Sequence, residues 1–277
     1  MSHLISGRAV RLSPRIQRVL APNPGVMPGT GTNTYLVGNS RLAVIDPGPL
    51  IEEHVDAVLK AAQGRTEWIL ITHTHPDHSP AAGRLRDETG APVLAYGKGK
   101  KRISRDLDRP DELLPHGATI RGDGFCLRAI HTPGHASDHL CFLLEEEEVL
   151  FTGDQIMNGS TVVIAPPDGN MKAYLDSLTT LKRYRIEKLA PGHGELMDRP
   201  MAVIDGLIRH RLNRERKVID AIKRLGPGTA ESLVPAVYDD VPEFLHPIAK
   251  YSLLAHLIKL EEDGCTASSG TTWRWLG

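Results

Sequence analysis

The sequence predicts an α/β protein in which helices cover both faces of a pair of β-sheets, followed by a small helical domain. Short apolar runs typical of strands alternate with segments of helical periodicity, in two successive sets along the first 199 residues. After Arg199 the pattern changes to three helical segments and a short hairpin. We therefore expect one domain at 1–199 and a second at 200–277.

The elements of the first domain follow from periodicity and from turn residues. Apolar or alternating runs bounded by glycine, proline and asparagine indicate strands. Apolar residues that recur on one face indicate helices, as Val55, Val58 and Ala62 do. The expected strands are 8–20, 34–37, 42–45, 68–71, 93–96, 125–130, 140–144, 149–152 and 188–190, and the expected helices are 52–63, 79–89 and 171–184.

The second domain has the pattern of a winged-helix-type fold, three helices followed by a hairpin. The expected helices are 200–225, 230–237 and 247–263, and the hairpin strands are 265–268 and 271–275. The last helix is largely apolar and has few cationic candidates, Lys250, His256 and Lys259. We therefore expect this helix to pack against the first domain and to form a wall of its cleft rather than to read nucleic acid.

Composition excludes several classes of protein. The chain has 277 residues, of which 40% are hydrophobic, and a net charge of −1, which gives no global reason to bind nucleic acid or an anionic membrane. No apolar run approaches the roughly 20 residues of a membrane span, so we expect no membrane partner. Three cysteines without a Cys-x-x-Cys pair indicate a reducing compartment, and we expect a cytoplasmic protein. Nothing in the sequence indicates its oligomeric state.

A ligand-rich stretch follows the apolar strand 68–71. His73 and His75 lie two residues apart, so an extended backbone points both rings the same way. Asp77 and His78 follow where a helix is expected to begin. Two imidazoles on one side and a carboxylate–imidazole pair on the other suit two adjacent metal ions. Zinc is the default for nitrogen and carboxylate ligands.

Three isolated residues complete the predicted metal site. His135, Asp154 and His193 each follow an apolar run and a turn residue. In layered α/β folds, ligands gather at the carboxyl edge of the strands, so we expect these side chains in one crevice. The predicted assignment gives His73, His75 and His135 to one ion, Asp77, His78 and His193 to the other, and Asp154 to both.

The expected chemistry is hydrolysis by a hydroxide that bridges two zinc ions, with iron or manganese as alternative metals. Two metals about 3.5–4 Å apart can hold such a hydroxide and polarise an oxygen of the substrate. Asp77 and Asp154 are the expected catalytic carboxylates. His139 is a candidate proton donor to the leaving group, the alternative being a histidine satisfied within its strand.

Two further residues are candidates for supporting this site. Asp46 ends a strand expected to lie beside the metal strand, and it is a candidate to orient a metal-bound histidine. The alternative role for Asp46 is to cap a turn. Asn33 is a candidate to line the cleft. His54 has no partner pattern in the sequence and is expected on the surface or in the core.

The motifs resemble those of the metallo-beta-lactamase superfamily. They are His-Thr-His-Pro-Asp-His at 73–78, Thr-Pro-Gly-His at 132–135, Gly-Asp at 153–154 and Gly-His-Gly at 192–194. The stretches 31–38 and 45–48 and the carboxyl-terminal domain are similar to the beta-lactamase-like protein 2 group. The resemblance implies an αββα sandwich with a dinuclear zinc site, and all seven ligands carry over. Asp154, which true beta-lactamases lack, makes the site similar to those of glyoxalase II and ribonuclease Z.

Three functions remain open at this stage. The glyoxalase II similarity suggests a hydrolase acting on a thioester or ester of a small acyl substrate. The beta-lactamase-like protein 2 group includes endoribonucleases of single-stranded RNA, and Lys98, Lys100, Lys101 and Arg109 lie in a segment that is either a basic flap or a solvated face. The third and least favoured hypothesis is a nucleic-acid-binding regulator with a winged helix. The near-neutral charge places the acyl substrate first.

Overall fold

The computed structural model describes residues 4–25, 29–97, 102, 103, 105 and 107–277. The chain divides into two compact units. The first consists of Met1–Thr132, Asp138–Val162 and Tyr184–Pro200, and the second of Pro133–Ser137, Val163–Arg183 and Met201–Gly277. The chain crosses for the last time from the first unit to the second after Pro200, near the predicted boundary at 200. The second unit also includes two earlier segments, which the sequence analysis had assigned to the first domain.

The first sheet of the first unit follows the order of the sequence. The strands β2, β3 and β4 pair in antiparallel fashion, whereas β4 to β7 pair in parallel, so the carboxyl ends of β4, β5 and β6 lie at one edge. The predicted single strand at 8–20 is two strands, β1 and β2, because a turn at Ser13 and Pro14 interrupts it. The strands are β1 (Ala9–Arg11), β2 (Ile16–Leu20), β3 (Asn33–Gly38), β4 (Leu42–Ile45), β5 (Thr66–Leu70), β6 (Val93–Tyr96) and β7 (Glu112–Leu114).

The second sheet has the order β13-β12-β11-β10-β9-β8. Its members are β8 (Thr119–Gly122), β9 (Phe125–His131), β10 (Leu140–Leu144), β11 (Val149–Gly153), β12 (Lys188–Pro191) and β13 (Met197–Asp198), of which β8 and β13 were not predicted. Side chains of both sheets form one core. Tyr35 of β3 and Phe151 of β11 pack there with ring centroids 5.0 Å apart. The two sheets therefore face each other across a shared apolar layer.

Two helices cover the outer face of the first sheet. α1 (Glu52–Ala62) and α2 (Ala82–Thr89) pack Val58 and Leu85 against strand residues such as Val44 and Ile69. Residues 75–79 turn instead of extending α2 to the predicted start at Ser79, and the Ser79 hydroxyl bonds the carbonyl of Ile103. This turn carries Asp77 and His78.

The second unit contains four α-helices, a 3-10 helix at Glu243–Leu245 and a small sheet within the described residues. They are α3 (Met171–Leu181), α4 (Pro200–Leu225), α5 (Ala230–Val237), α6 (His246–Glu262), β14 (Gly228–Thr229), β15 (Thr266–Ser269) and β16 (Thr272–Trp275). The predicted hairpin is β15 and β16, and β14 adds a third strand that was not predicted. Leu253 and Leu257 of α6 pack with Leu233 and Trp273. The segment 163–183 belongs here because α3 contacts α6 and the Ile164 backbone donates to the Ser252 hydroxyl.

Two further expectations concern surface features. No helix in the described part of the chain is both long and apolar enough to cross a membrane. Of the predicted basic flap, Lys98, Lys100 and Lys101 lie outside the described residues. Arg102 is exposed and pairs with Asp108.

The core between the two sheets gives a prediction for stability. Phe142 of β10 is fully buried there. Phe142→Ala should lower the free energy of unfolding by about 3–5 kcal/mol, since it removes an aromatic ring and leaves a cavity. Urea unfolding measures the change. The matched control Phe244→Ala replaces a ring that is 75% exposed and should change stability by less than about 0.5 kcal/mol. Equal effects of the two substitutions would contradict this account of the core.

Candidate metal centre

The histidine-rich stretch leaves the carboxyl end of β5 and turns back over the edge of the sheet. His73 and His78 are buried. The Nε2 atom of His73 lies 3.0 Å from the Nδ1 atom of His75, so two ring nitrogens face each other. This pair is the first of two groups of converging ligand atoms in this unit.

The second group brings together four side chains from three segments of the chain. The Nε2 atoms of His78 and His193 lie 3.2 Å apart. Asp154 Oδ1 lies 3.3 Å from His78 Nε2 and 3.2 Å from His193 Nε2. Asp77 Oδ2 lies 3.2 Å from His193 Nε2 and 3.6 Å from His78 Nε2. The sequence analysis had placed these four residues in one crevice, and the structure brings them together.

The outer contacts of His78 and His193 fix which ring nitrogen carries the proton. His78 Nδ1 lies 2.9 Å from Asp46 Oδ2, and His193 Nδ1 lies 3.0 Å from the carbonyl of Gly31. Both partners accept, so Nδ1 donates in each ring, and the neutral form of each ring presents the lone pair of Nε2 to the group. Together with the two carboxylates, the second group therefore consists of four acceptors that face one another.

Such a set of acceptors fits a divalent cation. Two nitrogen ligands at about 2.0–2.1 Å from a tetrahedral zinc ion lie about 3.3 Å apart. The separation of 3.2 Å between the two Nε2 atoms matches that spacing. Imidazole and carboxylate together are ligands typical of zinc, with iron and manganese also accepted by such sets. Ligand atoms of His73, His78 and Asp154 lie within 4.8 Å of one another, which places Asp154 between the two groups.

Asp46 orients two of the histidines. Its Oδ1 accepts from the Thr72 backbone N–H and its Oδ2 from the Thr72 hydroxyl, both at 2.8 Å. Because that hydroxyl has given its only proton to Asp46, it accepts from His73 Nδ1 at 3.0 Å. His73 Nε2 is thus left as an acceptor, as is His78 Nε2. Asp46 therefore has the orienting role considered from the sequence, and Thr72, which the analysis missed, transmits it.

Burial and charge shift the pKa values of the second group in opposite directions. Burial lowers the pKa of His193, but Asp154 and Asp77 outweigh it and raise that pKa to about 9. Burial lowers the pKa of His78 as well, but the negative charges of Asp154, Asp77 and Asp46 outweigh it and raise that pKa. Burial raises the pKa of Asp77 and Asp154, but the two histidines outweigh it and hold both pKa values below the usual range. The carboxylates are therefore ionised at neutral pH and attract positive charge, which either a second proton on each imidazole or a metal ion bound at Nε2 would supply.

A clamp from β3 holds the backbone on both sides of His193. The Asn33 side-chain amide donates to the carbonyls of Pro191 at 2.9 Å and Gly194 at 2.8 Å. The Tyr35 hydroxyl also donates to Pro191 O, at 2.8 Å. Asn33 is fully buried, so it does not line the cleft, as the sequence analysis had considered, but fixes a ligand loop. The sequence signal for this role was a polar residue at the start of an apolar strand.

His139 is fully buried between β10 and the residues that follow β11. Its Nδ1 lies 2.9 Å from the Thr132 hydroxyl, and its Nε2 accepts from the Asp154 backbone N–H at 3.2 Å. Gly153, at φ 45°, permits this approach, since a Cβ there would lie 2.8 Å from His139 Nε2. These contacts hold the backbone of Asp154 in place. Proton donation by His139 to a leaving group stays a prediction.

His135 belongs to the second unit. Its Nδ1 lies 2.8 Å from the carbonyl of Val163, and its loop is fixed by the Ser177 hydroxyl, which donates to Pro133 O at 2.7 Å. Nδ1 is again the donor, so the Nε2 atom of His135 keeps its lone pair, as in His78 and His193. Its part in a metal site stays a prediction.

His54 contacts Asp46 indirectly, through the Thr34 hydroxyl. The Thr34 hydroxyl donates to the Asp46 carbonyl at 2.6 Å and therefore accepts from His54 Nε2 at 2.9 Å. His54 is fully buried, and burial lowers its pKa to about 4. The sequence analysis assigned it no partner. The sequence did contain a signal for its burial, because His54 lies four residues before Val58 and therefore on the same, buried face of α1.

Comparisons with known proteins agree with this architecture. The family described as the metallo-beta-lactamase superfamily matches residues 27–193, and the beta-lactamase associated winged helix domain matches residues 229–275. A beta-lactamase-like protein 2 homolog from Caenorhabditis elegans is 33% identical over 96% of this chain and 91% of its own length. An atrochrysone carboxyl ACP thioesterase from Aspergillus chevalieri is 36% identical over 96% of this chain and 88% of its own.

Among solved structures, a metallo-beta-lactamase family protein from Thermus thermophilus superimposes with a TM-score of 0.79. The match covers 96% of this chain and 100% of that one at 22% identity, so it shows the fold alone. The predicted α/β class, with a metallo-beta-lactamase fold and a winged-helix domain, is confirmed by these matches.

The contacts of Asp46 predict its effect on metal binding. Asp46→Asn places an amide beside His78 Nδ1 and Thr72, and it removes the acceptor that fixes the histidine tautomers. Zinc affinity, measured by competition with a chelator, should fall about 10–100-fold, the range for partners that orient metal ligands. Asp176→Asn, at a carboxylate that is 67% exposed, is the control and should leave affinity unchanged. Unaltered affinity in Asp46→Asn would contradict the orienting role.

The lowered pKa of His54 predicts an acid-dependent loss of stability. Its pKa falls from the ordinary value of 6.5 to about 4 in the folded state, so the unfolded chain takes up the proton first as pH falls. The contribution is complete above pH 6.5 and is lost progressively as pH drops from 6.5 towards 4. Between pH 7 and pH 5 the parent should lose about 2 kcal/mol more than His54→Leu. Unfolding curves at the two pH values test this, and parallel losses would be the contrary result.

Proposed function

The chain belongs to the metallo-beta-lactamase superfamily, and from that membership we propose that it hydrolyses a thioester or ester of a small acyl substrate at a dinuclear zinc centre. Membership of this hydrolase family, together with relatives named as thioesterases, makes it an enzyme.

One observation carries the proposal, the convergence of acceptor atoms at the carboxyl edge of the strands. His78, His193, Asp77 and Asp154 point ring nitrogens and ionised oxygens at one another. A buried arrangement of this kind is costly unless a cation compensates it. The proposed ligands are His73, His75 and His135 for one ion, Asp77, His78 and His193 for the other, and Asp154 for both.

Bound divalent cations would supply a nucleophilic water at neutral pH and polarise the substrate carbonyl. The chain itself has no competing nucleophile in its buried cysteines. Burial raises the pKa of the Cys141 thiol to about 12 and also raises that of Cys126. Asp77 keeps 27% of its side chain exposed, whereas His78 beside it is fully buried. Asp77 is therefore the carboxylate that a substrate can reach. We assign it the role of accepting a proton at the reacting atoms and passing it on.

A thioester substrate suits a site without a strong proton donor. A thiol with a pKa of about 8.5 leaves readily as its anion. Such a leaving group needs no proton from His139. The two ring nitrogens of His139 already contact the Thr132 hydroxyl and the Asp154 backbone N–H. We accordingly assign His139 to positioning Asp154 rather than to proton transfer. The name of the Aspergillus chevalieri relative, atrochrysone carboxyl ACP thioesterase, supports the same choice.

Nucleic acid as substrate or target has less support in the second unit. The cationic candidates on α6 are already paired: Lys250 with Glu231, and Lys259 with Glu215 and Asp263. Paired cations release few counterions when phosphates bind, which weakens the main source of affinity for RNA or DNA. The winged-helix regulator is therefore not the function proposed here.

The proposal predicts that Asp154→Asn loses turnover. The purified zinc-loaded protein should hydrolyse members of a panel of acyl thioesters and leave labelled single-stranded RNA intact, at both low and high salt. Asp154→Asn should reduce thioester turnover by more than about a hundredfold, beyond the range for a residue that merely supports a ligand. Asp198→Asn, at a side chain that is 79% exposed, is the matched control and should retain activity.

Two outcomes would contradict the proposal. Thioester turnover that persists in Asp154→Asn would remove Asp154 from the reaction. Cleavage of RNA that disappears in Asp154→Asn, with no thioester hydrolysed by the parent, would replace the acyl substrate by a phosphodiester.

A further inference from the structure

A cavity of the first unit lies between β1, β2 and α1. Its volume is about 480 Å³. Ala57 and Ala61, one helical turn apart on α1, form part of its lining, and their small side chains leave the space open. Pockets of this size accommodate small molecules rather than single water molecules.

Positive charge dominates the walls of this cavity. Arg8, Arg11, Lys60 and Arg65 line it, together with Gln17 and Gln63, and none of the described lining residues is acidic. The whole chain carries a net charge of −1, so four cations around one cavity form a marked local excess. Like charges held this close repel one another, and an anion between them would relieve that repulsion.

Two of the four cations are held in place by backbone carbonyls. Arg65 donates to Ala62 O at 3.0 Å from Nε and to Asn39 O at 2.7 Å from Nη1. Arg11 Nη1 donates to Pro14 O at 2.9 Å. These carbonyls fix the guanidinium groups without neutralising their charge. The site is thus partly organised before any ligand arrives, which lowers the entropic cost of binding.

The other two cations are available to a ligand. Arg8 and Lys60 are exposed, and neither forms a side-chain hydrogen bond or ion pair with any residue that the structure describes. Exposed arginine and lysine elsewhere in this unit are commonly paired, as Arg84 is with Glu88. An arginine offers a planar fork to phosphate oxygens, and a lysine adds a mobile ammonium group.

We propose that this cavity binds a small phosphorylated ligand with two or more negative charges. No aromatic side chain lines the cavity among the described residues, so nothing there would stack on a nucleobase. A volume of about 480 Å³ holds a compact polyanion rather than a nucleic-acid strand. Four cations and two amides match the oxygens of a bisphosphate.

This site is separate from the metal centre. Gln63 and Arg65 lie just before β5, whereas His73 and His75 follow its far end. Eight extended residues span roughly 25 Å, so one small ligand cannot occupy both places. The two sites are nevertheless joined by β5 and by α1, which begins beside the turn at Asp46.

The test is calorimetric titration of the zinc-loaded full chain with fructose 1,6-bisphosphate at physiological salt. Pyrophosphate is avoided because it removes zinc. The parent should bind one equivalent saturably. Arg8→Gln with Lys60→Gln should raise Kd at least about tenfold, because two charge-assisted contacts are lost. Ala61→Met fills the cavity without changing charge and should abolish binding as well.

The matched control is Arg84→Gln with Lys172→Gln, which removes the same charge from two exposed, ion-paired positions and should leave Kd within twofold. Absence of saturable binding to the parent would overturn the proposal. So would binding that survives both cavity variants, or binding that disappears only when zinc is removed, because the metal centre would then be the site. Tighter binding of a short single-stranded RNA than of the bisphosphate would replace the small ligand by a polymer.

Discussion

The structure depends on one electrostatic constraint, the convergence of two buried histidines and two ionised carboxylates on a space that must hold positive charge. His78, His193, Asp77 and Asp154 come from three separate segments, and each strand end brings its side chain to the same edge. Uncompensated, such a cluster would repel itself in a medium of low dielectric constant. The cation that compensates it also ties the segments together, so metal binding and folding of this edge are coupled.

The hydrogen bonds around the ligands explain why this edge can hold such a cluster in one geometry. Asp46 orients His78 directly and His73 through Thr72. Asn33 holds the loop on both sides of His193. These contacts come from β3 and from the end of β4, strands that contribute no proposed ligand. The first sheet therefore acts as a rigid support, and its register decides the position of the metal ligands.

The same unit separates two kinds of charge. Acceptors gather at the carboxyl ends of the parallel strands, whereas the four cations that line the second site lie around the cavity beside β1, β2 and α1. A net charge of −1 conceals this division, because opposite clusters cancel in the sum. Composition alone therefore argued only against a global affinity for polyanions. The distribution of charge is what allows one protein to offer a cation site and an anion site.

The sequence by itself determined the class of fold, most strand and helix positions, and the residues of the ligand motifs. It could do so because apolar periodicity and short ligand spacings are local properties of the chain. It predicted one strand where Ser13 and Pro14 make two, and it left Asn33, Thr72 and His54 without the roles that the structure assigns them. Only the tertiary structure decided those points, because they depend on contacts between residues distant in sequence. Asn33 and Gly194, for example, are 161 positions apart, and no local pattern records which carbonyl a buried amide will meet.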